Sequence, residues 1–381
     1  MENFIYYNPV KILFGKDTIN ELGFEIKKAA YERVLLLAGG GSIKTNGVYE
    51  QVCESLKSEE IDWVEKWGVR PNPILSHARE AIDIAKNENI EAVIAVGGGS
   101  VIDEAKAVAA GFYLKDVWQA YEGKRRVKEA LPIFTVLTLS ATGSEMNSFS
   151  VLTNEEENKK WSMGGKPLFP KVSIIDPSVQ MSLPERQTIN GGIDALSHIM
   201  EYYFQGSSKE YTSELAEAMM RSVINSVDEL KKDPANYQSR ANLCWGASLA
   251  LNGLTGAGMQ KGEWAVHGIE HGISALFPNV AHAEGLAVLF PAWISYVKDF
   301  NKPQFEKWAK NVWNADTIDV AIEKMISKFM EWDAPVKLGD LGIASHDIPA
   351  IADNSLMKSG ELGNLNKLKR DDIINILRLA L

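Results

Sequence analysis

Short apolar runs flanked by glycine or proline recur through the first half of the chain, at 33–38 (RVLLLA), 92–96 (AVIAV) and 133–137. A further strand-like stretch covers 62–69, and KVSIIDP from Lys171 closes the series. Runs this short and this continuous predict strands buried on both faces. Between them, 76–87 and 101–110 place apolar residues at helical spacing, as does the stretch from the glycines at 39–41 to Lys57. Strand, helix and strand in succession predict a parallel sheet built from βαβ units.

Beyond residue 186 the period changes. Helical patterning covers 191–204, 209–231, 239–253, 262–276, 283–299, 302–314, 318–332 and 371–381. We expect an α/β, Rossmann-like dinucleotide-binding domain over 1–185 and an all-α metal-binding domain over 186–381. Pro184 marks the boundary, because proline cannot continue a strand ladder.

Composition narrows the function classes. Hydrophobic residues at 45% and charged residues at 24% are ordinary for a globular chain. A net charge of −10 argues against a nucleic-acid or anionic-membrane partner. No apolar run approaches the roughly 18 residues of a membrane span. Cys53 and Cys244 form neither a C-x-x-C nor a disulfide framework. A reducing cytoplasm is the expected location.

Two strand-to-helix junctions carry glycine: Gly39-Gly40-Gly41-Ser42 and Gly97-Gly98-Gly99-Ser100. Glycine lets a backbone approach a ligand closely, and a helix start offers free N–H groups to a diphosphate. Asp103 stands at capping-box spacing from Ser100. Neither loop is a G-x-G-x-x-G or a P-loop. After the strand at 133–137, Thr138, Ser140, Thr142 and Ser144 supply hydroxyls that suit phosphate, ribose or carboxamide groups, or that cap a turn. NAD sites commonly set a carboxylate on the ribose 2′-OH. None stands at 39–44, whereas Ser42 and Lys44 could meet a 2′-phosphate. NADP(H) is therefore favoured, with NAD(H) as the alternative.

Four of the six histidines lie in two glycine-rich, otherwise apolar segments. Asp194 and His198, in GGIDALSHIMEYYF, share a helix face at i and i+4. In HGIEHGISALFPNVAHAEGLA, His267 and His271 have the same spacing and His282 follows an FPN turn. A carboxylate with several imidazoles makes a divalent-metal site with room for substrate. By spacing alone, His267 with His271 is the natural chelating pair.

Together these motifs resemble the iron-dependent, group III alcohol dehydrogenases, whose fold is also that of dehydroquinate synthase, and most closely their butanol dehydrogenase and aldehyde reductase branch. The resemblance runs from YYNPVKILFG through GGGSVID, TLSATGSEMN and IIDPS to the two histidine segments. It implies metal ligands at Asp194, His198, His267 and His282, with His271 a non-ligand histidine beside the nicotinamide. It implies cofactor contacts at Gly98, Gly99, Ser100 and Asp103, at Thr138, Leu139 and Thr142, at Lys160 and near Asn72, and a substrate-cavity position at Asn147. The interval from His267 to His282 is one residue longer than usual in that family, and Pro278 and Asn279 suit a turn that absorbs it.

The implied activity is metal-assisted interconversion of aliphatic aldehydes such as butanal with primary alcohols. The metal is expected to be Fe²⁺, with Zn²⁺ as the alternative, and the protein a homodimer. His271 is the candidate proton relay. A zinc polyol dehydrogenase of the glycerol type, or a related metal–NAD lyase, is the runner-up, and a non-catalytic nucleotide-binding protein the reading from another class.

Overall fold

In the computed structural model, which describes residues 1–206, 211–259, 261–356 and 360–381, eight strands are defined. They are β1 Lys11–Phe14, β2 Arg33–Ala38, β3 Asp62–Trp67, β4 Ala92–Gly97, β5 Ile133–Leu137, β6 Phe149–Asn154, β7 Lys159–Gly164 and β8 Val172–Ile175. Six form one sheet in the order β1-β8-β5-β4-β2-β3, every neighbouring pair parallel. Along β4, Ala92, Ile94 and Val96 enter one core beside Val34 and Leu36 of β2. Val93 and Ala95 enter the opposite core with Leu35 and Leu37. A strand apolar at both parities needs cover on both faces. Helix Val48–Ser58 supplies it on one side, and helices Leu75–Asn87 and Gly99–Gly111 on the other.

The hairpin of β6 and β7 was not expected. Its register pairs Thr153 with Lys160 across the acidic turn at 155–158. Lys159, Lys160 and Trp161 hide the strand period, because Lys160 is buried while Lys159 and Trp161 are half-buried. The stretch after Gly39-Gly40-Gly41 also differs from one continuous helix: it is broken at Gly47, with φ 79°, into Ser42–Thr45 and Val48–Ser58.

The helices expected after residue 186 are present, with shifted starts. Lys209 and Glu210 of the 209–231 stretch lie outside the described residues. The first helix runs Glu185–Tyr203, so Gly191 and Gly192 lie inside it rather than at its start. The helix expected from 262 begins at Ala265, since Trp264 holds φ 60° in the left-handed region. Helix Ile348–Ser355 was not anticipated. Phe204, Trp293, Phe305 and Trp308 fill the helical core, Phe204 stacking on Phe305 at 4.2 Å. No helix among the described residues is long and apolar enough to cross a membrane.

The chain divides into a sheet unit, Asn8–Leu183 with Pro234–Ser248, and a helical unit, Met1–Tyr7 with Pro184–Asp233 and Leu249–Leu381. This differs from a single cut at 185 in two pieces. Helix Tyr237–Ala250 leans on the sheet unit: Cys244 is in its core, Trp245 meets Phe14 edge-on at 5.8 Å, and Ser248 Oγ donates to Glu145 Oε1 at 2.5 Å. The N-terminal residues belong to the helical unit, where Glu2 N donates to Gly258 O at 2.9 Å.

At Gly192 two helices meet closely, since an added Cβ would overlap Val227 Cγ2 of helix Tyr211–Lys232. Gly192→Ala should therefore lose about 1–3 kcal/mol of stability in a urea titration. Adding Val227→Ala should recover part of that loss. Equal stability of Gly192→Ala and wild type would refute the tight packing.

Candidate active site

Helix Glu185–Tyr203 carries Asp194, His198 and Glu201 at i, i+4 and i+7, one buried face. Helix Ala265–Leu276 carries His267, Glu270 and His271. The chain then turns at 277–280, where Val280 N donates to Phe277 O at 3.0 Å, and His282 opens the next helix. That turn accommodates the longer interval. His282 Nε2 stands 3.7 Å from Asp194 Oδ1, and His198 Nε2 stands 3.8 Å from the same oxygen. The His267 ring lies 5.0 Å from that of His198 and 5.3 Å from that of His282.

Two glutamates that the sequence pattern did not single out fix the imidazoles. Glu201 Oε1 is 2.6 Å from His267 Nδ1, and the same carboxylate accepts from Trp264 N at 2.5 Å and His267 N at 3.3 Å. It thus also caps the start of helix Ala265–Leu276, aided by the left-handed corner at Trp264. Glu270 accepts from His282 Nδ1 and from Ser274 Oγ. A carboxylate acceptor at Nδ1 requires the proton there, which leaves each Nε2 with a lone pair. Glu263 plays a neighbouring part: it accepts from Asn364 N at 2.7 Å and Leu365 N at 2.5 Å, tying that loop to the helix start. Burial pushes its carboxyl up to about 7.

The donor set fits a divalent cation. His267 Nε2 is buried without a hydrogen-bond partner. Ligand atoms of Asp194, His267 and His282 all lie within 4.8 Å of one another. Ligands around a tetrahedral ion with bonds of ~2.1 Å lie ~3.4 Å apart, so separations of 3.7 and 3.8 Å need little adjustment. Burial, reinforced by His267 and His282, drives the pKa of His198 well down and keeps it in the neutral form that binds metals. Glu270, His271 and His282 form a second close grouping, with the His271 and His282 rings 5.6 Å apart. There His282 Nδ1 is already committed to Glu270, which makes this grouping the support of the first.

In the sheet unit, β4 runs into Gly97-Gly98-Gly99-Ser100, and the helix begins at Gly99. Added Cβ atoms would overlap Val101 at Gly97 and Thr142 at Gly99, and would press on Leu139 at Gly98. Thr138 N donates to Gly97 O at 3.0 Å. The glycine loop and the 138–142 segment are thus one packed structure at a helix start, the kind of element whose N–H groups can meet an anionic ligand. Asp103 does not cap this helix, because the helix starts before Ser100 and Gly98 is its N-cap. It accepts instead from Ser144 Oγ at 2.6 Å and Val151 N at 3.0 Å. Asn147 is buried, accepting from Lys106 Nζ and Phe149 N and donating to Gly143 O. Lys160 is buried on β7. Asn72 holds φ 53°. At the other loop, Gly40 and Gly41 have open space around them, and Lys44 Nζ lies 3.9 Å from the centre of the Trp67 ring.

Comparison with known proteins defines the class. Family models described as iron-containing alcohol dehydrogenase and as the C-terminal part of that family match residues 9–177 and 188–381. The chain belongs to the iron-containing alcohol dehydrogenase family. Within it, a solved structure of NADH-dependent butanol dehydrogenase A from Thermotoga maritima is 49% identical, with TM-score 0.98, over 100% of this chain and 99% of that one. NADH-dependent butanol dehydrogenase A of Clostridium acetobutylicum is 37% identical over 99% of each chain. The NADPH-dependent aldehyde reductase YqhD of Escherichia coli is 34% identical over 92% of each. The protein is an NAD(P)-dependent enzyme of the alcohol dehydrogenase and aldehyde reductase kind, in the branch of these relatives.

Glu201 should matter to metal binding without being a ligand. Glu201→Gln is expected to weaken Zn²⁺ or Fe²⁺ affinity roughly 10–100-fold in a chelator competition. Unchanged affinity would show that the Glu201–His267 contact does not tune the site.

Proposed function

We propose that the enzyme reduces short-to-medium aliphatic aldehydes such as butanal to primary alcohols, and runs the reverse reaction, at a site built on Asp194, His198, His267 and His282. The observation that carries this reading is the close grouping of Asp194, His267 and His282, with His198 Nε2 3.8 Å from Asp194 Oδ1 and a glutamate behind Nδ1 of both His267 and His282. Bound there, a divalent cation supplies Lewis-acid polarisation of a carbonyl oxygen, and a nicotinamide cofactor supplies the hydride. Fe²⁺ is the metal we assign, with Zn²⁺ the alternative, since one carboxylate and three imidazoles accept either. Asp194 would bring negative charge that balances the cation. We assign His271, outside the ligand set, as the relay of a proton to the nascent alcohol; support comes from its ring lying 5.6 Å from that of His282.

For the dinucleotide we assign Gly97, Gly98, Gly99 and Ser100 to the diphosphate, Thr138, Leu139, Thr142 and Lys160 to further contacts, and Gly39, Gly40, Gly41 and Ser42 with Asn72 to the adenosine side. NADP(H) remains the preferred cofactor in this reading. Support comes from the lack of a carboxylate at 39–44 and from the Lys44 ammonium beside the loop. The relatives' names divide between NADH and NADPH. A homodimer is part of the proposal, supported by β1, which is an edge strand of the sheet among the described residues and has Phe14 exposed on it.

The test is an anaerobic assay with butanal on chelator-stripped protein, with Fe²⁺ or Zn²⁺ restored and with NADPH and NADH in parallel. Fe²⁺-dependent turnover that prefers NADPH is the expected result. An NADH preference would overturn the cofactor assignment alone. Turnover of glycerol but not butanal would move the enzyme to the polyol class. His271→Ala should lower kcat roughly 100-fold and shift its pH profile; full rate with an unchanged profile would remove the relay role.

A further inference from the structure

Lys106 has no exposed surface at all, yet it carries an ammonium in the middle of the helix Gly99–Gly111. Neither the metal site nor the dinucleotide contacts assigned above use it. Its Nζ donates to Ser144 O at 2.7 Å, Ser144 Oγ at 2.7 Å, Asn147 Oδ1 at 3.0 Å and Phe149 O at 2.7 Å. Three N–H bonds serve four acceptors, two of them on one residue. The Ser144 hydroxyl, in accepting from Lys106, donates to Asp103 Oδ1 at 2.6 Å, so ammonium and carboxylate are joined through it. A buried unpaired ammonium would cost several kcal/mol; here every partner it has on this side comes from residues 144–149 or acts through them.

The placement on the helix gives the arrangement its meaning. Gly99, Asp103 and Lys106 stand at i, i+4 and i+7, one face. Thr142 packs on Gly99, Ser144 on Asp103 and Lys106, and Asn147 and Phe149 on Lys106. Ser144 N in turn donates to Thr142 Oγ1 at 3.1 Å. The segment that follows β5 is therefore clipped at several points to the helix whose start is assigned to the diphosphate.

We propose that Lys106 is a positioning residue for the dinucleotide: its ammonium holds residues 142–149 on the helix face and so fixes the 138–142 backbone against the glycine loop. This rests on the assignment of both segments to the cofactor. Asn147 then belongs to the clip, and its effect on catalysis runs through the loop. Burial pulls the Lys106 ammonium down to about 8, while Asp103 on its own helix and Glu145 on the facing turn hold it up. Lys160 of β7 also acts on Asp103, whose charge in turn disfavours ionisation of Tyr121. Above that pH the amine keeps two N–H bonds and turns a lone pair toward an acceptor, which loosens the clip.

Dinucleotide binding to the full-length, metal-loaded protein tests this, by fluorescence titration of NADPH and NADH at about pH 7 and about pH 9, beside steady-state kinetics with butanal. Wild type should bind more weakly at the higher pH. Lys106→Met, of similar volume, should raise the dinucleotide Kd and KM roughly tenfold or more. It should leave the butanal KM and the metal content as in wild type and abolish the pH effect. Where Lys106→Met does not fold, Ser144→Ala removes only the linking hydroxyl and should raise Kd roughly threefold. A Kd unchanged in the folded variant overturns the proposal. Wild-type protein that binds neither dinucleotide overturns instead the assignment of the two segments on which it rests.

Discussion

A charged or polar side chain taken out of water must find its partners inside the protein, and this constraint shapes both units more than any apolar contact does. Asp194, Glu201, Glu270 and Lys106 lie at or near full burial, and Asp103 is half-buried. Each of the last four is held by hydrogen bonds to groups on another element or turn. An isolated ion so placed would destabilise the fold by several kcal/mol. The surrounding backbone is therefore bent to meet these groups: Trp264 accepts a left-handed φ so that its N–H reaches Glu201, and Gly98 and Gly99 give up side chains so that Leu139 and Thr142 can close in. Apolar burial supplies the bulk of the driving force, and the buried charges select which of many packed arrangements is adopted.

The two units solve this problem in the same way. Asp194, His198 and Glu201 repeat the i, i+4, i+7 spacing of Gly99, Asp103 and Lys106. In each case one helix face presents functional groups while the opposite residues anchor it in an apolar core. His267 and His282 are rigid because a carboxylate behind each fixes its proton. The glycine loop is rigid because a clipped segment lies against it. Such preorganisation is what a hydride transfer between two held partners needs, since small misplacements at the reacting atoms are costly in rate.

Much of this was legible in the sequence. The runs at 33–38, 92–96 and 133–137 read as strands because they are apolar at both parities, and the sheet buries both faces. The four histidines and Asp194 stood out because such residues are rare in apolar, glycine-rich helices. Spacing alone paired His267 with His271; the structure groups His267 with Asp194 and His282, because the turn at 277–280 brings the next helix back. Glu201, Glu270 and Lys106 went unread for one reason: in a helical pattern a charged residue is taken as a solvated face. The signal for Glu201 was available, three residues after His198 on the same face. Gly191 and Gly192 looked like a helix start, since glycine disfavours helix interiors, but Val227 needs the space at Gly192. The β6–β7 hairpin was hidden by Lys159 and Lys160, half-buried and buried.

The path of the chain has a consequence for how such an enzyme could be cut apart. Met1–Tyr7 belongs to the helical unit before the sheet unit begins, and Pro234–Ser248 returns to the sheet unit in the middle of the helical one. Neither unit is a contiguous stretch of sequence. A gene fragment ending near residue 183 would leave the sheet without the helix that carries Cys244 into its core and bonds Glu145, and the remainder would lack its own opening segment. A cut at the apparent boundary therefore separates no self-contained module, and each unit draws a segment from the far side of it.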